Sequence, residues 1–189
     1  MICVNAGSKF NSNRKCTQIW TLALTALMYD MYNVGVMDHE FWMQVALDEA
    51  YQATLHEDVP VGAIAVLNGE IIAKAHNRRE IDDDPTAHAE LLAIRQAAKF
   101  IGHWRLENVT LYCTLEPCPM CAGAMILARL PHLVFGTADP KGGAGGSVMN
   151  ILDHPQLNHR VEVETGILRD QAAALLVSFF AKLRAEGQK

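Results

Sequence analysis

The chain has 189 residues, half of them apolar and a fifth charged, which is the make-up of one soluble globular domain with a sizeable core. Sixteen Lys and Arg against 21 Asp and Glu leave a formal charge of −5; this excludes nucleic-acid binding through an overall positive surface, so any RNA must meet a local basic patch. Five cysteines (Cys3, Cys16, Cys113, Cys118 and Cys121) are odd in number and irregular in spacing, which argues against a secreted disulfide framework and for a reducing, cytoplasmic setting.

Residues 1–36 differ from the rest. Arg14 and Lys15 precede an apolar stretch from Ile19 to Met28, too short for a membrane span of about 20 residues. No convincing small-residue cleavage site follows it. The segment reads as an N-terminal extension, non-catalytic or disordered, ahead of a domain over 37–189 that starts at Met37. Asp38 then caps a helix over 39–56, in which Phe41, Trp42, Val45, Ala46 and Ala50 recur at helical spacing. Val61 to Leu67 is a short apolar strand, Asn68-Gly69 a hairpin turn, and Ile71 to His76 the returning strand. A polar loop, RREIDDDP, leads to a helix from about Thr86 to Phe100. A strand over 109–115, a helix over 118–129 and a strand over 132–136 follow, then the glycine-rich loop KGGAGGS. Arg160 to Glu164 alternates like a fifth strand. A closing helix over 167–186 sets Leu168, Ala172, Leu175, Leu176, Phe179 and Phe180 on its apolar side. Strands alternating with helices predict an α/β domain with helices packed on a mixed sheet.

The chemistry sits at the starts of two helices, in Thr86-Ala87-His88-Ala89-Glu90 and in Pro117-Cys118-Pro119-Met120-Cys121. His88 and Glu90 are two apart, so one can hold a metal while the other reaches past it. Cys118 and Cys121 are three apart and face one way, and a helix N-terminus favours thiolate over thiol. One His and two Cys give three protein ligands, the number a catalytic zinc needs to leave its fourth tetrahedral position for water. Alone, C-x-x-C fits a structural zinc half-site or a redox pair as well. A structural site wants a fourth protein ligand, however, and Cys113 is a single strand residue that reads as core. A redox pair leaves His88 and Glu90 unexplained.

His88-x-Glu90 with Pro117-Cys118-x-x-Cys121 is the pattern of the zinc nucleobase deaminases. From about Asp38 to Arg184 the chain resembles the bacterial tRNA-specific adenosine deaminases, of the cytidine/deoxycytidylate deaminase superfamily. The segments that carry the likeness are VPVGAIAV (59–66), AHNRRE (75–80), DPTAHAE (84–90), TLYCTLEPCPMCAGAMI (110–126), VFGTADPKGGAGGS (134–147) and LDHPQLNHRVEV (152–163). The resemblance implies a cytidine-deaminase-like three-layer α-β-α fold, with a mixed five-stranded sheet and helices on both faces. It implies one zinc per subunit on His88, Cys118 and Cys121, with Glu90 as the catalytic acid and base. It further implies hydrolysis of adenosine to inosine at the wobble position of an arginine tRNA, in the cytoplasm, by a homodimer that grips the anticodon stem-loop. Asn77 would hold the ribose and the Ala89 amide the base edge; Arg78, Asp139, Lys141, His154 and Arg160, with the closing helix that bears Lys182 and Arg184, match RNA-contacting positions. The sequence departs from the family's usual loop at His76 and at Arg79-Glu80, which bears on RNA sequence preference more than on chemistry. The alternative is a deaminase of a free base or nucleoside (guanine, cytosine or cytidine) with the same zinc site; the HPQLNHRVEV block counts against it. A non-enzyme with a structural zinc would have no use for Glu90.

Overall fold

The computed structural model describes residues 39–187, so the extension over 1–36, the Met37 start and the Asp38 cap lie outside the described residues. Helix α1 (His39–Thr54) precedes strands β1 (Gly62–Leu67) and β2 (Glu70–His76). Then come helix α2 (Ala89–Ile101), strand β3 (Val109–Leu115) and helix α3 (Pro119–Leu127). Strands β4 (His132–Thr137) and β5 (Glu162–Thr165) and helix α4 (Arg169–Ala185) complete the fold. The strands form one sheet in the order β2-β1-β3-β4-β5. Strand β1 runs antiparallel to β2 and β3, whereas β4 runs parallel to β3 and β5. The expected mixed five-stranded sheet is borne out.

Local chemistry explains the turns. Asn68 (φ 52°) and Gly69 (φ 78°) both take left-handed backbone, as a two-residue hairpin demands and as Asn-Gly supplies cheaply. On one face of the sheet, α1 buries Trp42, Met43 and Ala46 against Ile64, Val66, Tyr112 and Val134. Gly62 lets α1 come this close: a Cβ there would overlap the Ala46 carbonyl and the Ala50 amide. On the other face, Ala63, Ala65, Ala73 and Ala75 meet Ala89, Ala93 and Ala97 of α2, and Cys113, Leu111 and Leu133 meet Met125 of α3. These small residues bring α2 close to the strands, while each fully buried Leu or Met stabilises by about 2 kcal/mol relative to exposure. Helices therefore cover both faces.

Element ends depart from sequence expectation where side chains intervene. Helix α2 begins at Ala89, not Thr86, because the Thr86 amide and hydroxyl both donate to Asp84 Oδ1 at 2.7 Å, an alternative to helical bonding. Strand β5 begins at Glu162, paired with His132, and Arg160 falls outside it; Val161 N donates instead to Leu152 O at 2.9 Å. The apolar side of α4 is only partly covered: of its six residues Ala172 alone is fully buried, and Phe180 is 41% exposed.

Candidate active site

Helices α2 and α3 begin beside each other, past the carboxyl ends of the parallel strands β3 and β4, the region where open α/β sheets hold ligands. His88 and Cys118 are the N-cap residues of these helices, both in extended backbone, and Cys121 is buried one turn into α3. His88 Nδ1 lies 3.6 Å from Cys118 Sγ and 3.6 Å from Cys121 Sγ, and the three ligand atoms fall within 4.8 Å of one another. A tetrahedral zinc, with Zn–S of about 2.3 Å and Zn–N of about 2.0–2.1 Å, sets sulfur and nitrogen about 3.5–3.6 Å apart. The three residues expected from the sequence to share an ion are therefore spaced to do so.

The donor chemistry agrees. Without a metal the two thiols share one proton: the hydrogen bond from Cys121 pushes Cys118 down to about 4. Cys121, which keeps the proton and is buried, is pushed far above the ordinary thiol range. The hydrogen bond to Cys118 raises His88. A divalent cation between the sulfurs would favour thiolate on both. Zinc with two thiolates and a neutral imidazole has zero net charge, which suits a half-buried site between two positive helix ends.

Glu90 is 4% exposed and lines the same cleft as His88 and Cys118, a space of about 150 Å³. It is not one of the clustered ligands. Burial pushes its carboxyl up to about 7, so it can take and release a proton near neutral pH. Asn77, buried and bonded to Asp58 Oδ1 at 3.4 Å, and Asp139 line the cleft as well. Ala89 is fully buried at the first turn of α2. Lys141 lies in an adjoining groove with Arg184 of α4. The remaining predicted contacts sit elsewhere: Arg78 is held by Asp82 at 2.7 Å, Arg160 pairs with Asp153 at 3.2 Å, and His154 is exposed.

Two buried carboxylates that the sequence reading passed over organise this cleft. Asp58 accepts from Glu80 N at 2.8 Å and Ile81 N at 3.3 Å, pinning the loop after β2. Glu116, 2% exposed, accepts from Asp139 N and Gly145 N at 2.9 Å, from Ser147 N at 3.0 Å, and from the Ser147 hydroxyl. The glycine-rich loop is wrapped around this carboxylate. A Cβ at Gly143 would overlap the Glu116 side chain, and Ala144 N donates to Pro117 O at 2.8 Å, next to Cys118. Burial alone would raise the Glu116 pKa, but the donors from Ser147, Asp139 and Gly145 hold it below its ordinary value. Glu116→Gln replaces an acceptor by an amide that faces N–H donors, and costs about 3 kcal/mol, or roughly 6–12 °C in Tm at this size. Because the folded carboxyl is depressed, its contribution is present above its ordinary value of 4.5 and is lost as pH falls through the folded value. Thermal melts should therefore show the gap at pH 7 and its narrowing in acid.

The MafB19-like deaminase family matches residues 37–184. The tRNA-specific adenosine deaminase of Bacillus subtilis is 51% identical over 145 residues, 77% of this chain and 90% of the relative. That of Aquifex aeolicus is 51% identical over 148 residues, 78% and 97%. A solved structure from studies of A-to-I editing by tRNA deaminases at the wobble position of transfer RNA superposes with a TM-score of 0.70. It is 42% identical, over 72% of this chain and 99% of that one. A guanine deaminase from Nitrosomonas europaea gives 0.68 at 26% identity, over 77% and 86%. Shape barely separates the last two; sequence does.

Proposed function

We propose, because the chain belongs to the tRNA-specific adenosine deaminase family, that it hydrolyses adenosine to inosine at the wobble position of a tRNA anticodon. Arginine tRNA is the substrate first expected. One observation carries the chemistry: a His-Cys-Cys ligand set spaced for one ion, with a buried, unliganded carboxylate in the same cleft. The choice of RNA over a free base rests on the 42% identity to the wobble-editing structure against 26% to the guanine deaminase.

In this reading His88, Cys118 and Cys121 hold one zinc per subunit, which, when bound, lowers the pKa of a water from about 15.7 toward 7. Glu90 would accept a proton from the attacking water as a bond forms to C6 of the base. The same carboxyl delivers protons to ring N1 and to the amine, which leaves as ammonia. Asn77 orients the ribose, and the Ala89 amide faces the base edge. The flipped base leaves the anticodon loop to enter the cleft, with Arg78, Asp139, Lys141, His154 and Arg160 distributed along the path of the stem-loop.

The deaminase domain is proposed to span 37–189, with residues 1–36 read as a non-catalytic extension. A homodimer fits the apolar side chains left in solvent on α2 and α3, where Phe100 is 65% and Leu127 73% exposed. A cytoplasmic setting fits thiols that must stay reduced to hold metal. No helix among the described residues is long and apolar enough to cross a membrane.

The test is to incubate the zinc-loaded protein with arginine tRNA carrying adenosine at the wobble position, and to sequence for inosine. Free adenosine, cytidine, cytosine and guanine run alongside in an ammonia assay. Inosine in the tRNA with silent free bases is the expected result; ammonia from a free base or nucleoside alone would overturn the RNA reading.

A further inference from the structure

The loop between β2 and α2 carries two consecutive arginines with opposite environments. Arg78 Nε and Nη2 donate to Asp82 Oδ2 and Oδ1 at 2.8 and 2.7 Å, so its charge is neutralised within its own loop. Arg79 is exposed and lines the cleft with Asn77, His88 and Glu90. Among the described residues its guanidinium makes no ion pair and no side-chain hydrogen bond.

The backbone that carries Arg79 is fixed on both sides. Arg78 N donates to Ala87 O at 3.0 Å and Asp84 N to Arg79 O at 3.2 Å, which ties the loop to the segment just ahead of His88. Asp58, fully buried, takes the amides of Glu80 and Ile81. A long flexible cation is thus presented from a rigid base beside the metal ligands.

Three carboxyl groups, Glu90, Glu116 and Asp139, share the lining with Arg79, and the chain as a whole carries −5. A free base would enter such a cleft unopposed. A nucleotide within a strand brings a phosphodiester on each side, and that charge needs a partner at the mouth. A guanidinium meets phosphate with paired, charge-assisted hydrogen bonds.

Resting on the proposed tRNA-editing function, we infer that Arg79 is a specificity-determining residue that binds a backbone phosphate flanking the edited adenosine and so favours a polynucleotide over a free base.

The experiment uses the zinc-loaded full chain, an anticodon stem-loop with adenosine at the wobble position, and a series of salt concentrations. Wild type, Arg79→Ala and Arg79→Lys are compared. Wild type is measured first: no inosine from any RNA would overturn the functional reading, and this inference with it. With wild type active, Arg79→Ala should raise KM about tenfold and leave kcat within about twofold. It should also flatten the slope of log kcat/KM against log salt by about 0.7–0.9, the loss of one phosphate contact. Arg79→Lys, which keeps the charge, should restore the salt slope. Zinc content and Tm should match wild type in both variants. An Arg79→Ala enzyme with unchanged KM and salt slope overturns the inference, and so does one that loses kcat while the slope is kept.

Discussion

Replacing Glu90 by glutamine is expected to lower inosine formation about 10 000-fold while zinc remains bound, since general acid–base catalysis by one positioned group contributes about 10²–10⁴-fold and Glu90 is asked to move protons to two atoms in turn. Glutamine keeps the volume of the side chain, so the first turn of α2 stays packed. Glu90 also lies outside the clustered metal ligands, so metal content should not change. The substitution thus separates chemistry from binding. The reason for expecting so large an effect is the environment: a carboxyl that is 4% exposed, pushed up to about 7 by burial, would be a net cost to the fold if it did nothing. Carboxylates buried without a cation destabilise by several kcal/mol, and chains rarely keep them without a task. Single-turnover rates on a stem-loop, with zinc measured by atomic absorption on the same sample, decide the matter. A variant within about tenfold of wild type, with its metal intact, would remove Glu90 from the reaction.

Much of this arrangement is legible in the sequence, and what is not has identifiable causes. The nine elements of the described residues follow from periodicity and turn residues, since the alternation of apolar strands and amphipathic helices is imposed by a three-layer core. The metal cluster is legible because cysteine three apart and a histidine at a second helix start are constrained by the ion itself. Asp58 and Glu116 escape because their partners are backbone amides 22 to 31 residues away. Nothing in the residue types at those distances marks an amide as a donor. The glycines of KGGAGGS do carry a trace of Glu116, since a loop without side chains is one that something must approach closely, but the approaching group is not named by them. The separate environments of Arg78 and Arg79 are equally hidden, because they depend on where Asp82 folds back to meet the first of them. The end of α4 misleads for another reason: its apolar side chains describe a buried stripe, yet most are only partly covered.

Cys121→Ala, Cys118→Ala and His88→Ala are each expected to drop bound zinc from one per chain to near zero, to abolish activity and to lower Tm by roughly 10 °C. The size follows from linkage. A metal present at about 1,000 times its Kd stabilises by about 4 kcal/mol, and at this chain length each kcal/mol moves Tm by about 2–4 °C. The local physics makes the loss steep. His88 and Cys118 are the N-cap residues of two different helices, and Cys121 sits one turn further along α3, so an ion held by all three would join α2 to α3 at their N-termini. With Cys121 gone, the remaining pair cannot close a three-ligand site, and the two positive helix ends face each other with one thiolate fewer between them. A chelator supplies the control: it should shift wild-type Tm by the same amount and leave the Cys121→Ala melt where it was. Acid should act in the same direction. The hydrogen bond to Cys118 raises His88, so lowering pH protonates the imidazole and returns protons to the sulfurs, all in competition with the metal. Zinc affinity should therefore fall as the solution is acidified, beginning where the His88 imidazole, raised by Cys118, takes its proton. A wild-type melt indifferent to chelator, or a Cys121→Ala protein that purifies with a full complement of zinc, would show that these three side chains do not share an ion, and the hydrolytic chemistry would have no nucleophile to draw on.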